Sequence, residues 1–269
     1  MKKVKIYMVT YQGHIRLRPT LTSIFDSDVG IFDFEINIIN NHTDIRLPPE
    51  FEGKVNIIHN TLRPDWSYGH LSRNWNQALV NGFRDLNNPD CDYVVCTQDD
   101  SLFHPQWASR LEDLHTNRFS FVHNGHGDQF HSYTPKAVKR VGIWDERFCG
   151  LTRQCADYMA RCLMYNKDGC TINDPGHKRV HNPIFEDINK ARNYLVDANA
   201  RKIDKNMGHQ EIDAQISGKL MLHKYGRDFW PWTQEIIDNP PKRTLCDNYI
   251  TYPHFEKDVY NLREKGYII

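Results

Sequence analysis

Residues 93–100 read Tyr93-Val94-Val95-Cys96-Thr97-Gln98-Asp99-Asp100. The apolar run at 93–96 predicts a short β-strand, and its nearly continuous apolar character predicts burial on both faces of a sheet. Two adjacent carboxylates follow the strand almost directly. Because neighbouring like charges repel each other and lose hydration at the end of a buried strand, this pair needs a positive partner.

Strand-like and helical patterns alternate before this stretch. The other strands are predicted at residues 4–10, 34–39 and 55–58, with helices from about Pro19 to Phe25 and from Gly69 to Phe83. This alternation predicts an α/β fold with a mostly parallel sheet flanked by helices and right-handed crossovers. Ligands bind beyond the carboxyl ends of such strands. We therefore expect one crevice to collect the polar strand ends, which are Thr10-Tyr11, Asn40-Asn41 and Gln98-Asp99-Asp100.

The pattern turns helical after about residue 183. One apolar stripe runs through Ile188, Ala191 and Leu195, and a second contains Ile212, Ile216, Leu220 and His223. We therefore predict a catalytic and binding domain over residues 1–182. A helical C-terminal extension is predicted over residues 183–269, packed on that domain or beside it.

Composition narrows the range of functions. In 269 residues, 34 Lys and Arg balance 34 Asp and Glu, which argues against nucleic-acid binding through bulk charge. No window approaches the roughly 20 apolar residues of a membrane span. The seven cysteines include no CxxC pair, which is typical of reduced thiols, so a cytoplasmic protein is expected.

The acidic pair Asp99-Asp100 suits a divalent cation. Mg²⁺ and Mn²⁺ prefer carboxylate oxygens and commonly bridge them to substrate phosphates. The alternative is a structural turn in which Asp99 or Asp100 caps a helix that begins near Pro105. The expected position of the pair in the crevice favours the cation.

The stretch from Val94 to Pro105 resembles the DXD segment of GT-A fold glycosyltransferases, family 2 in particular, although Gln98 stands where a first Asp often stands. Other segments resemble the same family in the same order. They are the second-strand loop Asn40–Asp44, the "ARN-G" helix Leu71–Ala78, the acceptor-loop segment Gly142–Phe148, the acidic motif Ala156–Arg161 and Lys224-Tyr225-Gly226. The resemblance covers roughly residues 4–226 and implies the GT-A fold, a nucleotide-diphospho-sugar transferase fold.

The resemblance also implies roles for individual residues. Asp100 would bind the metal, Asp99 would assist it or contact the ribose, and His177 or His181 would add a ligand. The nucleotide would lie near Thr10, Tyr11, Asn40, Arg73 and Asn74. The general base would be Asp157, with Asp145 and Glu146 as second choices.

These observations predict a glycosyltransferase that uses Mn²⁺ or Mg²⁺. It would move a sugar from a nucleotide diphosphate to an acceptor hydroxyl, of a glycan for example, and inversion is favoured over retention. Tyr11 and Asn40 suit a uridine base, which predicts a UDP-sugar donor. The alternatives are a nucleotidyltransferase that makes a nucleotide sugar and an inactive sugar-binding module of the same fold.

A zinc cluster of His123, His126 and His131 with Asp128 matches no tight zinc spacing.

Overall fold

The structure is a computed structural model, and it describes most of the chain up to residue 229. The described ranges are 1–10, 14–41, 45–60, 71–117, 119–124, 129–148, 153–165, 194–198 and 210–229, with residues 235, 239 and 241. Tyr11, His177 and His181 lie outside them, so the roles predicted for these three residues stay predictions. Within the described part of the chain, no helix is long and apolar enough to cross a bilayer.

The described residues form eight strands, six α-helices and one short 3₁₀-helix, Pro49–Phe51. The strands are β1 (Lys2–Thr10), β2 (Phe32–Asn40), β3 (Asn56–His59), β4 (Tyr93–Gln98), β5 (Ser101–Phe103), β6 (Phe121–Asn124), β7 (Phe130–Tyr133) and β8 (Val196–Ala198). The helices are α1 (His14–Phe25), α2 (Leu71–Phe83), α3 (Trp107–Asn117), α4 (Pro135–Val141), α5 (Arg153–Tyr165) and α6 (Gln210–Tyr225).

The central sheet has the spatial order β3-β2-β1-β4-β7-β6. β1 pairs in parallel with β2 and with β4, and β2 pairs in parallel with β3. β7 runs antiparallel to both β4 and β6. The predicted α/β fold with a mostly parallel sheet is therefore confirmed, and β6 and β7 add an antiparallel edge to it.

Helices cover both faces of this sheet, because side chains alternate along each buried strand. On one face, Val95 packs in a core with Leu21 of α1 and Trp107 of α3. On the other face, Val94 packs in a core with Trp75 of α2 and residues of α4 and α5. The burial of β4 on both faces confirms the reading of its continuous apolar run.

Helix α2 lies very close to β4, and Gly82 makes that approach possible. A Cβ atom built on Gly82 would lie 2.3 Å from Cγ2 of Val94, which is well inside van der Waals contact. This packing holds the last turn of α2 against β4, the strand that the acidic pair follows.

The segment 194–198 is not helical, so the helical stripe predicted to include Leu195 is wrong there. Val196–Ala198 forms β8 and pairs antiparallel with β5. The backbone N–H groups of Leu195 and Val196 both donate to Oδ1 of Asn124, at 2.8 and 2.9 Å. A short apolar run fits a strand as well as a helix, and here the pairing with β5 and the Asn124 side chain determine the outcome.

The predicted helix around Leu220 is confirmed as α6, but its inward face differs from its apolar stripe. Ile216 is 55% exposed, whereas Ser217, Met221 and Lys224 are at most 2% exposed. These three residues recur at helical spacing and form the buried face. A lysine lies on that face because two buried carboxylates, from segments that precede α6 in sequence, contact its ammonium group.

Candidate active site at the carboxyl edge of the sheet

The carboxyl ends of the four parallel strands meet at one edge, as the alternating pattern predicts. Backbone hydrogen bonds join each end to its neighbour. The Asp99 N–H donates to the Val9 carbonyl at 3.2 Å, and the Asn41 N–H donates to the Thr10 carbonyl at 3.1 Å. At the next strand, the N–H of Asn60 donates to the carbonyl of Asn40 at 2.8 Å. The polar residues that follow β1, β2, β3 and β4 therefore line a continuous edge.

Asp99 is held at this edge by groups from β1 and α1. Thr10 Oγ1 donates to Oδ2 of Asp99 at 2.6 Å, and Arg16 Nε lies 3.2 Å from Oδ1. Thr20 of α1 donates its hydroxyl to the Asp99 carbonyl at 2.7 Å. Asp99 is 5% exposed, and its charge is balanced by a guanidinium.

Asp100 occupies a tight turn between β4 and β5 and is 3% exposed. The turn is fixed from both sides, because the hydroxyls of Thr97 and Ser101 both donate to the Gln129 carbonyl, at 2.7 and 3.0 Å. Helix α3 begins only at Trp107, after β5. The alternative in which the acidic pair caps this helix is therefore wrong.

An amide network extends the edge from β3 to α2. Asn60 Nδ2 donates to Oδ1 of Asn41 at 3.2 Å, to Oδ1 of Asn74 at 3.3 Å and to Oε1 of Gln77 at 2.9 Å. Asn40 Nδ2 lies 3.2 Å from Nδ1 of His59. Asn40 and Asn74, both predicted to lie near the nucleotide, are thus brought together with neighbours that sequence reasoning did not single out.

The first turns of α2 also hold Glu146. Arg73 Nε donates to Oε2 of Glu146 and Asn76 Nδ2 donates to Oε1, both at 3.0 Å. Asn76 additionally exchanges two hydrogen bonds with the backbone of Trp144, at 2.7 and 2.9 Å. The side chains of Arg73 and Glu146 remain 52% and 42% exposed, so this pair faces solvent beside the edge.

Asp145 and Asp157 lie in the interior instead. Lys224 of α6 bridges them, with Nζ 2.8 Å from Oδ2 of Asp145 and 2.5 Å from Oδ1 of Asp157. Arg161 Nε pairs with the other oxygen of Asp157 at 2.9 Å. All four side chains are at most 3% exposed. We call these four residues, with Arg147 and Tyr225, the interior ion cluster.

Arg147 and Tyr225 complete this cluster. Arg147 Nε and Nη2 donate to the two oxygens of Asp145, at 2.9 and 2.5 Å. The Tyr225 hydroxyl donates to Oδ1 of Asp157 at 2.7 Å. Desolvation alone would raise the pKa of Asp145, but the hydrogen bonds and charges of Arg147 and Lys224 outweigh it and hold that pKa below its usual value. Burial, and then the charge of Asp157, raise the pKa of Tyr225 well above its usual value.

The structure separates the three carboxylates that the sequence offers as a general base. Glu146 is half exposed beside the edge, whereas Asp145 and Asp157 belong to the interior ion cluster. Asp157 as the base stays a prediction. Both of its oxygens already contact cations in this structure.

The histidines of β6 and β7 pack in an aromatic core, and His126 and Asp128 lie outside the described residues. His123 and His131 face each other across the strand pair with ring centroids 4.9 Å apart, and Trp144 lies 5.1 Å from the His131 ring. Desolvation, and then the neighbouring His123, lower the pKa of His131 well below its usual value. Among the described residues, no group of three or more His, Cys, Asp or Glu side chains is arranged as a metal ligand set.

No protein-family model matches this sequence, and neither does any curated protein. Among solved structures, the chain is similar to PcManGT, a mannosyltransferase of Pyrobaculum calidifontis in complex with GDP-Man and Mn²⁺. The identity is 13% and the TM-score 0.44, over 63% of this chain and 53% of that one. The match therefore spans about half the length of PcManGT.

The chain is also similar to residues 1–349 of S. aureus TarS in complex with UDP-GlcNAc. Here the identity is 11% and the TM-score 0.44, over 82% of this chain and 66% of that one. Because the identities are low and the TM-scores are below 0.5, the function of this chain is inferred from its own residues.

Sequence reasoning missed several residues of the edge. Arg16, Thr20 and Asn60 all contact residues that the motifs identify. Arg16 lies in the first turn of α1, which begins at His14 and not near Pro19 as the sequence predicts, so the predicted helix did not include it. The contacts of Thr20 and Asn60 join residues that are far apart in sequence, and no local pattern reveals them.

Proposed function

We propose that this protein is a metal-dependent glycosyltransferase that moves a sugar from a nucleotide diphosphate to an acceptor hydroxyl. One observation carries the proposal. The adjacent carboxylates Asp99 and Asp100 end a strand that is buried on both faces, at an edge that the ends of β1, β2 and β3 share. Ligands of α/β sheets bind at such an edge, and buried carboxylates there suit a cationic or metal-bound ligand.

The residues present fit a divalent cation such as Mn²⁺ or Mg²⁺. Mg²⁺ is typically bound by one or two carboxylates together with waters and substrate phosphates, so a complete protein cage is not required. One oxygen of Asp99 already accepts from the Thr10 hydroxyl and the other lies 3.2 Å from Arg16 Nε, which makes Asp100 the better candidate for the direct ligand. A cation bound there would supply charge neutralisation for the departing nucleotide diphosphate.

The chain's own residues would perform two tasks in this reaction, binding the nucleotide and accepting the acceptor's proton. Asn40, Asn74 and Thr10 would bind and orient the nucleotide. The acceptor oxygen would bond to the anomeric carbon as the bond from that carbon to the diphosphate oxygen breaks, with inversion of configuration. The hydroxyl proton would pass to a carboxylate, for which Glu146 is our choice because it is half exposed beside the edge.

The test is incubation of the chain with Mn²⁺ and a panel of nucleotide sugars, with measurement of released nucleoside diphosphate. We expect release from a UDP-sugar, and tighter binding of UDP than of GDP or CDP by calorimetry. Asp100→Ala is expected to abolish the release. Pyrophosphate released from a nucleoside triphosphate and a sugar phosphate would instead identify a nucleotidyltransferase. Binding of a sugar without release of either product would identify an inactive sugar-binding module.

A further inference from the structure

Arg16 lies at the acidic edge and was not identified by any motif. It belongs to the first turn of α1, and its Nε is 3.2 Å from Oδ1 of Asp99. The Arg16 side chain is 44% exposed, whereas that of Asp99 is 8% exposed. The guanidinium therefore contacts the buried carboxylate with one side and reaches solvent at the same edge with the other.

The contact with Asp99 orients this guanidinium. A guanidinium carries five N–H donors in a rigid planar fork, and the ion pair with Asp99 engages its Nε. The two Nη groups carry the other N–H donors of the guanidinium. No acidic residue lies in the first turn of α1, so the residues of that turn do not add negative charge beside Arg16.

We propose that Arg16 binds the diphosphate group of the nucleotide donor and that Asp99 anchors it for this purpose. The inference rests on the proposed function. Guanidinium groups bind phosphate oxygens through short, charge-assisted and often bidentate hydrogen bonds. In this arrangement the two neighbouring carboxylates act differently, since Asp99 holds the arginine and Asp100 would bind the cation.

Arg18 is a matched control on the same helix. It also pairs with one carboxylate, with its Nη1 3.1 Å from Oε1 of Glu50, and its side chain is 60% exposed. Arg16→Gln and Arg18→Gln thus remove the same charge from the same helix. The first removes it beside Asp99, and the second removes it beside Glu50.

The experiment is calorimetric titration of the full chain and both variants with Mn²⁺ alone and with UDP in the presence of Mn²⁺. We expect Arg16→Gln to weaken UDP binding by roughly ten- to hundredfold, the scale of a lost charge-assisted hydrogen bond. Binding of Mn²⁺ alone should stay equal or become tighter, because a cation beside the site has been removed. Arg18→Gln should match the wild type, and Arg16→Lys should recover part of the UDP affinity.

Two results would overturn the inference while leaving the proposed function intact. In the first, Arg16→Gln binds UDP as tightly as Arg18→Gln does. In the second, Arg16→Gln loses Mn²⁺ and UDP in equal measure, which would mean that Arg16 only positions Asp99. A wild-type chain that binds neither Mn²⁺ nor any nucleoside diphosphate would contradict the proposed function itself, and the inference with it.

Discussion

Two pairs of aspartates lie in this molecule in opposite electrostatic settings. Asp99 and Asp100 end β4 at the open edge of the sheet, where Arg16 pairs with Asp99 and is itself half exposed. Asp145 and Asp157 lie in the interior ion cluster, where Lys224 bridges them. Arg147 pairs with Asp145, and Arg161 pairs with Asp157.

The difference shows how a carboxylate's surroundings indicate its role. In the interior ion cluster, Lys224, Arg147 and Arg161 and the hydroxyl of Tyr225 surround the two aspartates, so the cluster joins α6 to α5 and to the segment that carries Glu146. At the edge, the neighbouring cation is half exposed, and the carboxyl ends of four strands converge there. We infer a structural role for the ion pairs of Asp145 and Asp157, because loss of one partner of a buried pair is strongly destabilising, and a ligand-binding role for the carboxylates at the edge, where the strand ends converge.

The largest expected effect comes from breaking the interior ion cluster with Lys224→Met. This change leaves Asp145 and Asp157 buried without their shared cation, and loss of one partner of a buried ion pair costs about 3–5 kcal/mol. Urea denaturation of the purified variant measures the free energy of unfolding. The control is Lys219→Met on the same helix, because Lys219 is exposed. Equal stability of the two variants would show that the cluster contributes little.

Glu146 lies between the two regions, joined to α2 by Arg73 and Asn76. If it is the general base, Glu146→Gln should lower turnover by roughly 10²-fold or more, the scale of general-base contributions. Binding of UDP and Mn²⁺ should be retained, because the amide keeps the size of the side chain. Asp157→Asn is measured in parallel, with rates corrected for the folded fraction. A drop in turnover for Asp157→Asn alone would return the role of base to Asp157.

Neutralising one aspartate in each region tests whether ligand binding and stability depend on different aspartates. Asp100→Asn should weaken Mn²⁺-dependent UDP binding by at least about tenfold, since second-shell changes at metal sites alone cost 10–100-fold, and should change stability little. Asp157→Asn should instead lower the free energy of unfolding and leave UDP binding nearly unchanged. The reason is that the neutral amide no longer balances the charges of Lys224 and Arg161 in the interior. Calorimetry and denaturation of both variants give the two values. Loss of UDP binding in Asp157→Asn at full stability would contradict this separation.

The last effect concerns pH and is gradual, so it is small at any one pH step. Burial lowers the pKa of His115 to about 4, and its hydrogen bond with the Phe119 carbonyl only partly offsets this. The unfolded chain binds the proton near pH 6.5, so stability falls as the pH decreases from about 6.5 to 4, by up to about 1.4 kcal/mol per pH unit. The contribution of Asp145 is lost in the same direction but in a lower window, because its lowered pKa preserves that contribution until the pH falls below the usual value of 3.8.

His115→Gln should therefore flatten the slope of stability between pH 6.5 and 4 and leave the decrease below pH 4 in place. Denaturant unfolding at half-unit pH steps measures both parts of the curve. A variant with the wild-type slope between pH 6.5 and 4 would show that His115 does not titrate there.

The sequence by itself determined the parts of the molecule that depend on neighbours along the chain. Apolar runs and helical periodicity predicted β1, β2, β3, β4 and α2, since side-chain burial follows these short periods. Because parallel strands end on the same side, the same patterns also predicted that Thr10, Asn40 and Asp99 would meet. The adjacent carboxylates of Asp99 and Asp100 were visible as a local motif.

Only the tertiary structure decided which charges meet. Lys224 pairs with Asp145 across 79 residues of sequence, and it turns a polar face of α6 inward where the apolar stripe predicted otherwise. Arg16 pairs with Asp99, and β8 forms because β5 and Asn124 supply its hydrogen bonds. The physical reason is that the energy of a charge or of a backbone polar group depends on the partners that folding brings within a few ångströms. Local sequence periodicity does not indicate which residues those partners are.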